Sequence, residues 1–208
     1  MSKVFVTGIG TGIGKTIVSA IITEALKADY WKPVQTGLHE GTDSQTIRKL
    51  VTNSVTKIHP EAFSLIMPAS PHAAAKAENA TIHIKDIKTP LTNNILVIEG
   101  AGGLMVPLNE KELMIDFIME TKASVILVVK QYLGSINHTL LSIDALKQKG
   151  IEIAGIIYNG ELNKSSEEAI EAFSRCKVLG RIGQEANFSS AHVLKYAQEI
   201  RPSLMKIV

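Results

Sequence analysis

The sequence contains a single cysteine, Cys176, among its 208 residues. One cysteine cannot form a disulfide within the chain, and it cannot supply the several thiolates of an iron–sulfur cluster or a structural zinc site. The sequence therefore excludes a fold that is cross-linked by internal disulfides, and it excludes a metal centre built from thiolates. Because free thiols persist in reducing compartments, we expect the protein to work in the cytoplasm.

A strong excess of charge and a long apolar run are also missing. The 22 lysines and arginines nearly balance the 20 aspartates and glutamates, which leaves a formal net charge of +2. Proteins that neutralise many backbone phosphates carry a larger basic excess, so no nucleic acid partner is expected. The first apolar run, 4–6, is too short for a signal-peptide core, and no run reaches the roughly 18 residues of a membrane helix. We expect neither secretion nor a membrane partner.

The composition is that of an ordinary globular protein, with 45% hydrophobic and 20% charged residues. A chain of this length buries roughly 70% of the surface that its unfolded form exposes, which suffices for a core without disulfides or structural metal. No internal repeat, low-complexity stretch or block of like charge interrupts the sequence. We therefore expect residues 1–208 to form a single domain.

Short apolar runs rich in β-branched residues recur along the chain. They are 4–6, 95–98, 125–129 and 153–157. Their length and their glycine or polar flanks predict buried parallel strands. Segments 17–26 and 136–146 have helical spacing, whereas 39–94 shows no clear pattern. The alternation predicts an α/β fold with a mainly parallel central sheet, helices on both faces and ligands at the carboxyl ends of the strands.

A glycine-rich loop, 8–16, joins the first predicted strand to a helical segment. Its glycines let backbone amides turn toward an anion, the helix adds its N-terminal dipole, and Lys15 adds a positive charge. The usual phosphate-loop spacing would place a glycine at Ile9, so this loop is one residue longer when counted from Gly8. We interpret it as a nucleotide phosphate loop with Thr16 as a Mg²⁺ ligand. The alternative is a purely structural turn.

Two carboxylates are candidates to accompany this loop, because Mg²⁺ prefers oxygen ligands and links phosphates to the protein. Glu99 follows the predicted strand 95–98, which places it at a carboxyl end beside the nucleotide. The alternative is a surface acid at a strand end. Asp43 follows Gly41 and Thr42, and its type and position fit a helix N-cap as well as a metal ligand.

Lys32 has an unusually apolar setting for a lysine. It lies between 30–31, Tyr-Trp, and 33–34, Pro-Val, at the end of a predicted second strand. A nearby anion would explain this position, and the ammonium could stabilise charge on a phosphoryl group in transfer. The alternative is a lysine whose stem packs on apolar surface while its amine reaches water.

Five segments occur in an order and spacing typical of one family. They are 8–16, 32–37, 68–74, 99–103 with 106–108, and 133–139. Together they make residues 1–160 resemble the dethiobiotin synthetase family. The resemblance implies a single-domain P-loop NTPase fold and an enzyme that uses ATP, Mg²⁺ and CO₂ or bicarbonate to close a cyclic urea on 7,8-diaminononanoate.

The implied reaction needs no nucleophile from the protein. One substrate amine captures CO₂ as a carbamate, and the carbamate attacks the γ-phosphate to give a carbamic–phosphoric anhydride and ADP. The second amine then closes the ring, which releases phosphate and gives dethiobiotin. Positioning and charge stabilisation should therefore supply most of the catalysis.

The resemblance also implies roles for individual residues. Lys15 and Lys32 would be catalytic, holding phosphate and carbamate oxygens, while Thr16, Asp43 and Glu99 would surround Mg²⁺. The residues implied to bind ATP are Gly12, Ile13, Gly14, Lys15, Thr16, Ile17, Asp43, Glu99, Gly100, Ala101, Gly102, Asn159, Gly160, Gly183, Gln184 and Glu185.

Further residues are implied to bind the diamine. Thr36 matches a hydroxyl residue of the family that contacts it. Gly134 and Ser135 predict a helix start, whose free amides suit a carboxylate. The resemblance assigns these two residues and Asn137 to the substrate's carboxylate tail, across the interface of a homodimer. The alternative is an ordinary capped helix.

The chain departs from the family pattern at two places. Gly10 stands where many members carry aspartate. The segment 180–185 lacks a proline that is usual in the second base-contacting loop. Asn159 and Gly160 match the adenine-contacting position, although an Asn-Gly pair also fits a simple turn. Nucleotide selectivity therefore stays open.

Other nucleotide-dependent proteins fit the sequence less well. A GTPase would carry an Asn-Lys-x-Asp motif, but Asn163-Lys164 is followed by two serines. Partitioning ATPases typically have a second lysine near the start of the loop. Nucleoside monophosphate kinases bind two nucleotides with several arginines, whereas none of the four arginines here adjoins a motif. An amidotransferase needs a catalytic cysteine, whereas Cys176 has no fitting histidine and is expected in a polar helix.

Overall fold

The structure is a computed structural model that describes residues 2–208, apart from the side chain of Glu40. This range forms nine β-strands and seven α-helices. The strands are β1 (Lys3–Gly8), β2 (Asp29–Trp31), β3 (Val34–Thr36), β4 (Ile58–His59), β5 (Phe63–Leu65), β6 (Leu96–Glu99), β7 (Ser124–Lys130), β8 (Ile153–Asn159) and β9 (Val178–Ile182). The helices are α1 (Lys15–Leu26), α2 (Asp43–Leu50), α3 (Pro71–Ala77), α4 (Met114–Thr121), α5 (Ser135–Gln148), α6 (Lys164–Ser174) and α7 (Ser190–Leu204).

Seven strands form a central sheet in the order β4-β2-β6-β1-β7-β8-β9, and β3 pairs separately with β5. The strands of both sheets run parallel. At the carboxyl end of β1, Val6 pairs with Glu99 of β6, and Gly8 pairs with Val128 of β7. The predicted parallel sheet is confirmed.

Side chains of the central strands alternate between two apolar cores. On β1, Val4 and Val6 pack in a core with residues of α1 and α7, whereas Phe5 packs in a core with residues of α3 and α4. On β6, Val97 faces the first core and Ile98 faces the second. This period of two, buried on both sides, places helices on both faces of the sheet, as predicted.

The elements predicted from apolar patterns are present. The four apolar runs lie in β1, β6, β7 and β8, except that Ile95 precedes β6, and the two helical segments lie in α1 and α5. The unassigned stretch 39–94 contains α2, β4, β5 and α3. Within residues 2–208, none of the helices has the length and apolar character needed to cross a bilayer.

The expectation that Cys176 lies in a helix is wrong. Helix α6 ends at Ser174, and Arg175 adopts a left-handed conformation with φ 55°. A residue in this conformation stops a helix, so Cys176 lies in the connection to β9. Because arginine is not a usual residue for such an ending, the sequence contains no signal for it.

A buried aspartate anchors the start of β2 near the edge of the sheet. Asp29 is 1% exposed, and its carboxylate accepts hydrogen bonds from the Lys57 amide at 3.1 Å, Asn94 Nδ2 at 3.2 Å and Thr92 Oγ1 at 2.7 Å. The His59 ring lies 3.0 Å from the same group. Burial works to raise the pKa of Asp29, but the hydrogen bonds from Thr92, Lys57 and His59 outweigh it and lower the pKa below its ordinary value.

The change Asp29→Asn is expected to lower the free energy of unfolding by about 2 kcal/mol at pH 7, because an amide cannot accept all of these bonds and leaves buried donors unpaired. Urea unfolding measures the loss. The exposed Asp86 offers a control, Asp86→Asn, whose effect should stay below about 0.5 kcal/mol.

The same network predicts a pH dependence. Since the folded pKa of Asp29 is lowered, its contribution is complete above the unfolded pKa of about 4 and disappears as the pH falls through the folded pKa. The stability difference between wild type and Asp29→Asn should therefore shrink on acidification. A difference that is absent at pH 7, or that grows toward low pH, would contradict the role given to this carboxylate.

Candidate functional site

The glycine-rich loop leaves the carboxyl end of β1 and wraps the start of α1. Gly12 and Gly14 have φ values of 70° and 89°, in the left-handed region that favours glycine. A Cβ at Gly14 would lie 2.1 Å from Asn159 Nδ2, so a side chain there would displace the Asn159 amide from the loop. Asn159 Nδ2 donates to the Ile13 carbonyl at 2.7 Å and holds the loop from that side.

Lys15 turns back onto the loop that precedes it. Its Nζ donates to the Gly10 carbonyl at 2.7 Å, and the side chain is buried. Burial and the nearby Lys32 ammonium lower the pKa of Lys15 to about 8, against the raising effect of Glu99 and Asp43. A bound anion would favour the charged form. A Cβ on Gly10 would meet no atom within 4 Å, so sterics do not require glycine there.

Four polar side chains from four elements meet beside this loop. Thr16 Oγ1, in the first turn of α1, donates to Asp43 Oδ1 at 2.5 Å and lies 3.0 Å from Glu99 Oε1. Lys32 Nζ, directly after β2, lies 2.7 Å from Asp43 Oδ2 and 3.1 Å from Glu99 Oε1. The structure thus brings together residues that the sequence separates by up to 83 positions.

The electrostatics of this cluster keep Lys32 and Asp43 charged. Burial works to lower the pKa of Lys32, but the charges of Glu99 and Asp43 raise it above its ordinary value. Burial raises the pKa of Asp43, but Lys32 and the hydrogen bond from Thr16 lower it overall. Lys32 is therefore an ammonium and Asp43 a carboxylate at neutral pH. The snorkelling alternative for Lys32 does not apply, because its amine is buried.

Asp43 is not the cap of its helix. Thr42 is the N-cap of α2, and its side chain accepts a hydrogen bond from the Gln45 amide at 3.1 Å. Asp43 occupies the first helical position, which leaves its carboxylate free to reach Thr16 and Lys32. The capping alternative for Asp43 is therefore wrong.

Two residues that the sequence reasoning missed hold this cluster in place. Gln35 Oε1 accepts from the Asp43 amide at 3.0 Å, and its Nε2 donates to the Thr36 carbonyl at 2.8 Å. Tyr30 donates its hydroxyl proton to Glu99 Oε2 at 2.9 Å. Burial and the Glu99 charge raise the pKa of Tyr30 well above its ordinary value, so this hydroxyl stays a donor.

The cluster borders a cleft of about 610 Å³ at the carboxyl end of the sheet. The predicted residues that line it are Gly12, Gly14, Lys15, Thr16, Ile17, Lys32, Thr36, Asp43, Glu99, Ala101 and Gly102. Gly100 is not among the lining residues, but its carbonyl accepts a hydrogen bond from Lys32 Nζ at 3.3 Å. An anion in this cleft would meet Lys15, backbone amides and Lys32. The hydroxyl of Thr16 and the two carboxylates could hold a hard divalent cation.

The predicted base-contacting residues lie beyond this cleft, at the ends of β8 and β9. The Gly160 amide donates to the Ile182 carbonyl at 2.9 Å, which joins the two loops. The Gly183 amide lies 3.1 Å from the Tyr196 hydroxyl, and that hydroxyl donates to Glu185 at 2.8 Å. The exposed side chains of this surface include Gln184.

The predicted helix entry lies in a different cleft. Gly134, with φ 103°, precedes Ser135, the first residue of α5, as predicted. These two residues and Asn137 line a cleft of about 640 Å³ that shares no lining residue with the phosphate-loop cleft. Within one described chain, the implied carboxylate subsite and the phosphate subsite are therefore separate. The neighbouring Leu133 and Leu141 are exposed apolar residues.

Solved structures share the fold. A ParA family ATPase from Chlorobium tepidum aligns with 98% of each chain, at a TM-score of 0.61 and 14% identity. The cell division ATPase MinD from Pyrococcus furiosus aligns with 97% of this chain and 99% of its own, at a TM-score of 0.60 and 17% identity. At such identities the likeness concerns the P-loop ATPase fold alone.

Sequence relatives are much more similar. A family model described as an AAA domain matches residues 2–191. The ATP-dependent dethiobiotin synthetase BioD of Christiangramia forsetii is 52% identical over 98% of both chains. That of Cytophaga hutchinsonii is 49% identical over 96% of this chain and 97% of its own. Since these identities extend along almost the entire sequence, the chain belongs to the dethiobiotin synthetase family.

Proposed function

We propose that this chain closes the cyclic urea of dethiobiotin on 7,8-diaminononanoate, with CO₂ or bicarbonate as the carbon source and MgATP as the energy source. The observation that carries the proposal is the convergence of Lys15 and Lys32 on one cleft with Thr16, Asp43 and Glu99. A phosphate loop alone would serve many ATPases. A second buried ammonium beside it suits a substrate that becomes an anion before it reacts.

The two lysines would bind different anionic groups. Lys15 is placed by the loop to meet the terminal phosphates, as in other phosphate loops. Lys32 lies at the end of β2, two strands from β1 in the sheet, where its ammonium would hold the carbamate oxygens and the charge that develops during phosphoryl transfer. Because both side chains are buried, their charges act in a region of low dielectric constant.

The donor set fits Mg²⁺. Residues 2–208 contain no group of three His, Cys, Asp or Glu side chains that could hold a metal alone. Mg²⁺ bound with a nucleotide needs fewer protein ligands, because phosphate oxygens and waters complete its coordination. Thr16, Asp43 and Glu99 would hold it, and the bound ion would neutralise charge on the β- and γ-phosphates.

The remaining contacts follow from the fold. Thr36 lines the cleft beside Lys32 and would contact an amine of the diamine. The loops at Asn159–Gly160 and 183–185 lie together at neighbouring strand ends and would receive the base.

All of these loops belong to one sheet, which supports a single catalytic domain over 1–208. The lone Cys176 supports a cytoplasmic location.

The substrate's carboxylate tail would be bound by a second subunit. Gly134, Ser135 and Asn137 line a separate cleft of the same chain, which supports a homodimer in which they complete the site of the partner. At the start of α5 the Ser135 amide donates to the Tyr132 carbonyl, so the amides of Ile136 and Asn137 would be the ones that receive a carboxylate. The exposed Leu133 and Leu141 give this face an apolar character that suits burial between subunits.

The reaction itself is tested with the diamine, ¹³C-bicarbonate, ATP and Mg²⁺. We expect mass spectrometry to show dethiobiotin that carries one labelled carbon, and phosphate release to require both the diamine and bicarbonate. Phosphate release that proceeds equally well without the diamine would instead indicate a stand-alone ATPase, of the kind that shares this fold.

Replacement of either lysine should remove transition-state stabilisation. Lys15→Ala and Lys32→Ala are each expected to slow turnover at least ~10²-fold, which corresponds to ~3 kcal/mol. Steady-state turnover with saturating substrates measures the effect. Lys76→Ala is the matched control, because Lys76 is exposed on α3, and it should keep normal turnover. A Lys15 or Lys32 variant with near-normal turnover would remove that lysine from the mechanism.

Shared sites predict complementation between inactive variants. A mixture of Lys32→Ala and Asn137→Ala subunits should form mixed dimers with one intact site each, and so recover about one quarter of wild-type turnover at equal amounts. The control is a mixture of Lys32→Ala and Lys15→Ala, which should stay inactive because both changes affect the same cleft. The absence of recovery despite demonstrated subunit exchange would indicate sites that lie within one subunit.

A further inference from the structure

Tyr30 is a buried tyrosine whose hydroxyl contacts the site from within the core. The residue lies in the middle of β2, and its side chain is 0% exposed. Its hydroxyl donates to Glu99 Oε2 at 2.9 Å. Neither the sequence patterns nor the proposed mechanism gives Tyr30 a role, although it contacts a carboxylate of the cluster directly.

The two oxygens of Glu99 have different partners. Oε1 lies 3.0 Å from Thr16 Oγ1 and 3.1 Å from Lys32 Nζ, on the side of the cleft. Oε2 is bonded to Tyr30. Because Glu99 is only 1% exposed, bulk water is not available to replace the tyrosine hydroxyl. Among residues 2–208, Tyr30 is the hydrogen-bond donor that fixes the inner oxygen of this carboxylate.

The register of the sheet explains why residue 30 can do this. Tyr30 of β2 pairs with Val97 of β6, and both side chains lie in the same core. Glu99 is two residues further along β6, so it lies on that same face of the sheet. A phenol is long enough to reach the diagonal neighbour. Trp31 faces the opposite core and cannot substitute.

We propose that Tyr30 is a positioning residue for the Mg²⁺ site, whose hydroxyl sets the rotation of the Glu99 carboxylate so that Oε1 faces Thr16 and the cleft. The inference rests on the proposed function, which assigns Glu99 to the metal. Without this hydroxyl, Oε2 would be buried without a donor, and the carboxylate would turn or shift to find one. Groups that orient a metal ligand commonly contribute 10–100-fold to metal affinity or activity.

The chain offers a matched control for the loss of one hydroxyl. Tyr158 of β8 is also buried, at 1% exposure, and its hydroxyl has no hydrogen-bond partner among the described residues. Tyr30→Phe and Tyr158→Phe therefore make the same chemical change in the same sheet. Only the first removes a hydrogen bond to the site.

The test measures binding of Mn²⁺, as a probe for Mg²⁺, to the protein–ADP complex by EPR, with protein in excess over ADP. We expect Tyr30→Phe to raise the apparent Kd about tenfold, and Tyr158→Phe to leave it unchanged.

In turnover assays, Tyr30→Phe should need a correspondingly higher Mg²⁺ concentration for half-maximal rate and should recover most of its kcat at saturating Mg²⁺. A purely structural effect would lower kcat at every Mg²⁺ concentration and leave the Kd unchanged.

Comparison with Glu99→Gln separates this inference from the function on which it rests. If Glu99→Gln weakens Mn²⁺ binding and Tyr30→Phe does not, the metal site stands and the role of Tyr30 is overturned. If neither change affects binding, the assignment of Glu99 to the metal fails, and the inference fails with it.

A second measurement uses the wild-type protein, so that it does not depend on the folding of a variant. Tyrosine labelled with ¹³C at Cζ gives one resonance for each of the four tyrosines. Addition of Mg²⁺ to the ADP complex should shift the Tyr30 resonance and leave that of Tyr158 in place. An unmoved Tyr30 resonance would contradict the proposed link to the metal site.

Discussion

One ammonium held between two carboxylates at the end of a parallel sheet is the interaction on which the site depends. Lys32 and Glu99 are almost fully buried, and Lys32 lies 2.7 Å from Asp43 and 3.1 Å from Glu99. Leaving one such buried charge without its partner costs roughly 3–5 kcal/mol, so Lys32 and Glu99 require each other. The ion pairs allow charged groups to be buried beside the phosphate loop, where an unpaired charge would be too costly.

The sheet topology supplies the charges of this cluster. Strands β2, β6 and β1 are neighbours, so their carboxyl ends deliver Lys32, Glu99 and the phosphate loop to the same edge. Helix α2 adds Asp43, which Gln35 holds through the Asp43 backbone amide. Lys32, Glu99 and Asp43 each lie in a strand or helix or directly after one. Such elements are rigid supports, and they preserve the alignment that charge stabilisation requires. The cleft is therefore organised for anions by the protein alone.

The sequence predicts those parts of the site that follow from local pattern. The loop at 8–16 and the strand before Glu99 were recognisable because glycine spacing and a continuous apolar run are local signals. Tyr30 and Gln35 were not, because their roles depend on which strands and helices become neighbours. The contact between Tyr30 and Glu99 spans 69 positions, and no feature of residue 30 distinguishes it from an ordinary core tyrosine. The strands β4 and β5, within the stretch 39–94, escaped prediction because they have only two or three residues, too few to show a period.

The likeness to partition and division ATPases shows how little of the function the fold determines. Those proteins share the arrangement of strands and the phosphate loop at identities of 14% and 17%. In this chain Gly10 stands near the start of the loop, and the second ammonium of the cleft is that of Lys32, directly after β2. An ammonium at that place is bound to the carboxylates around the proposed metal, so it lies inside the cleft beside Thr36. The position of Lys32 therefore supports the proposed reaction between a nucleotide and a small carbamate on this common fold.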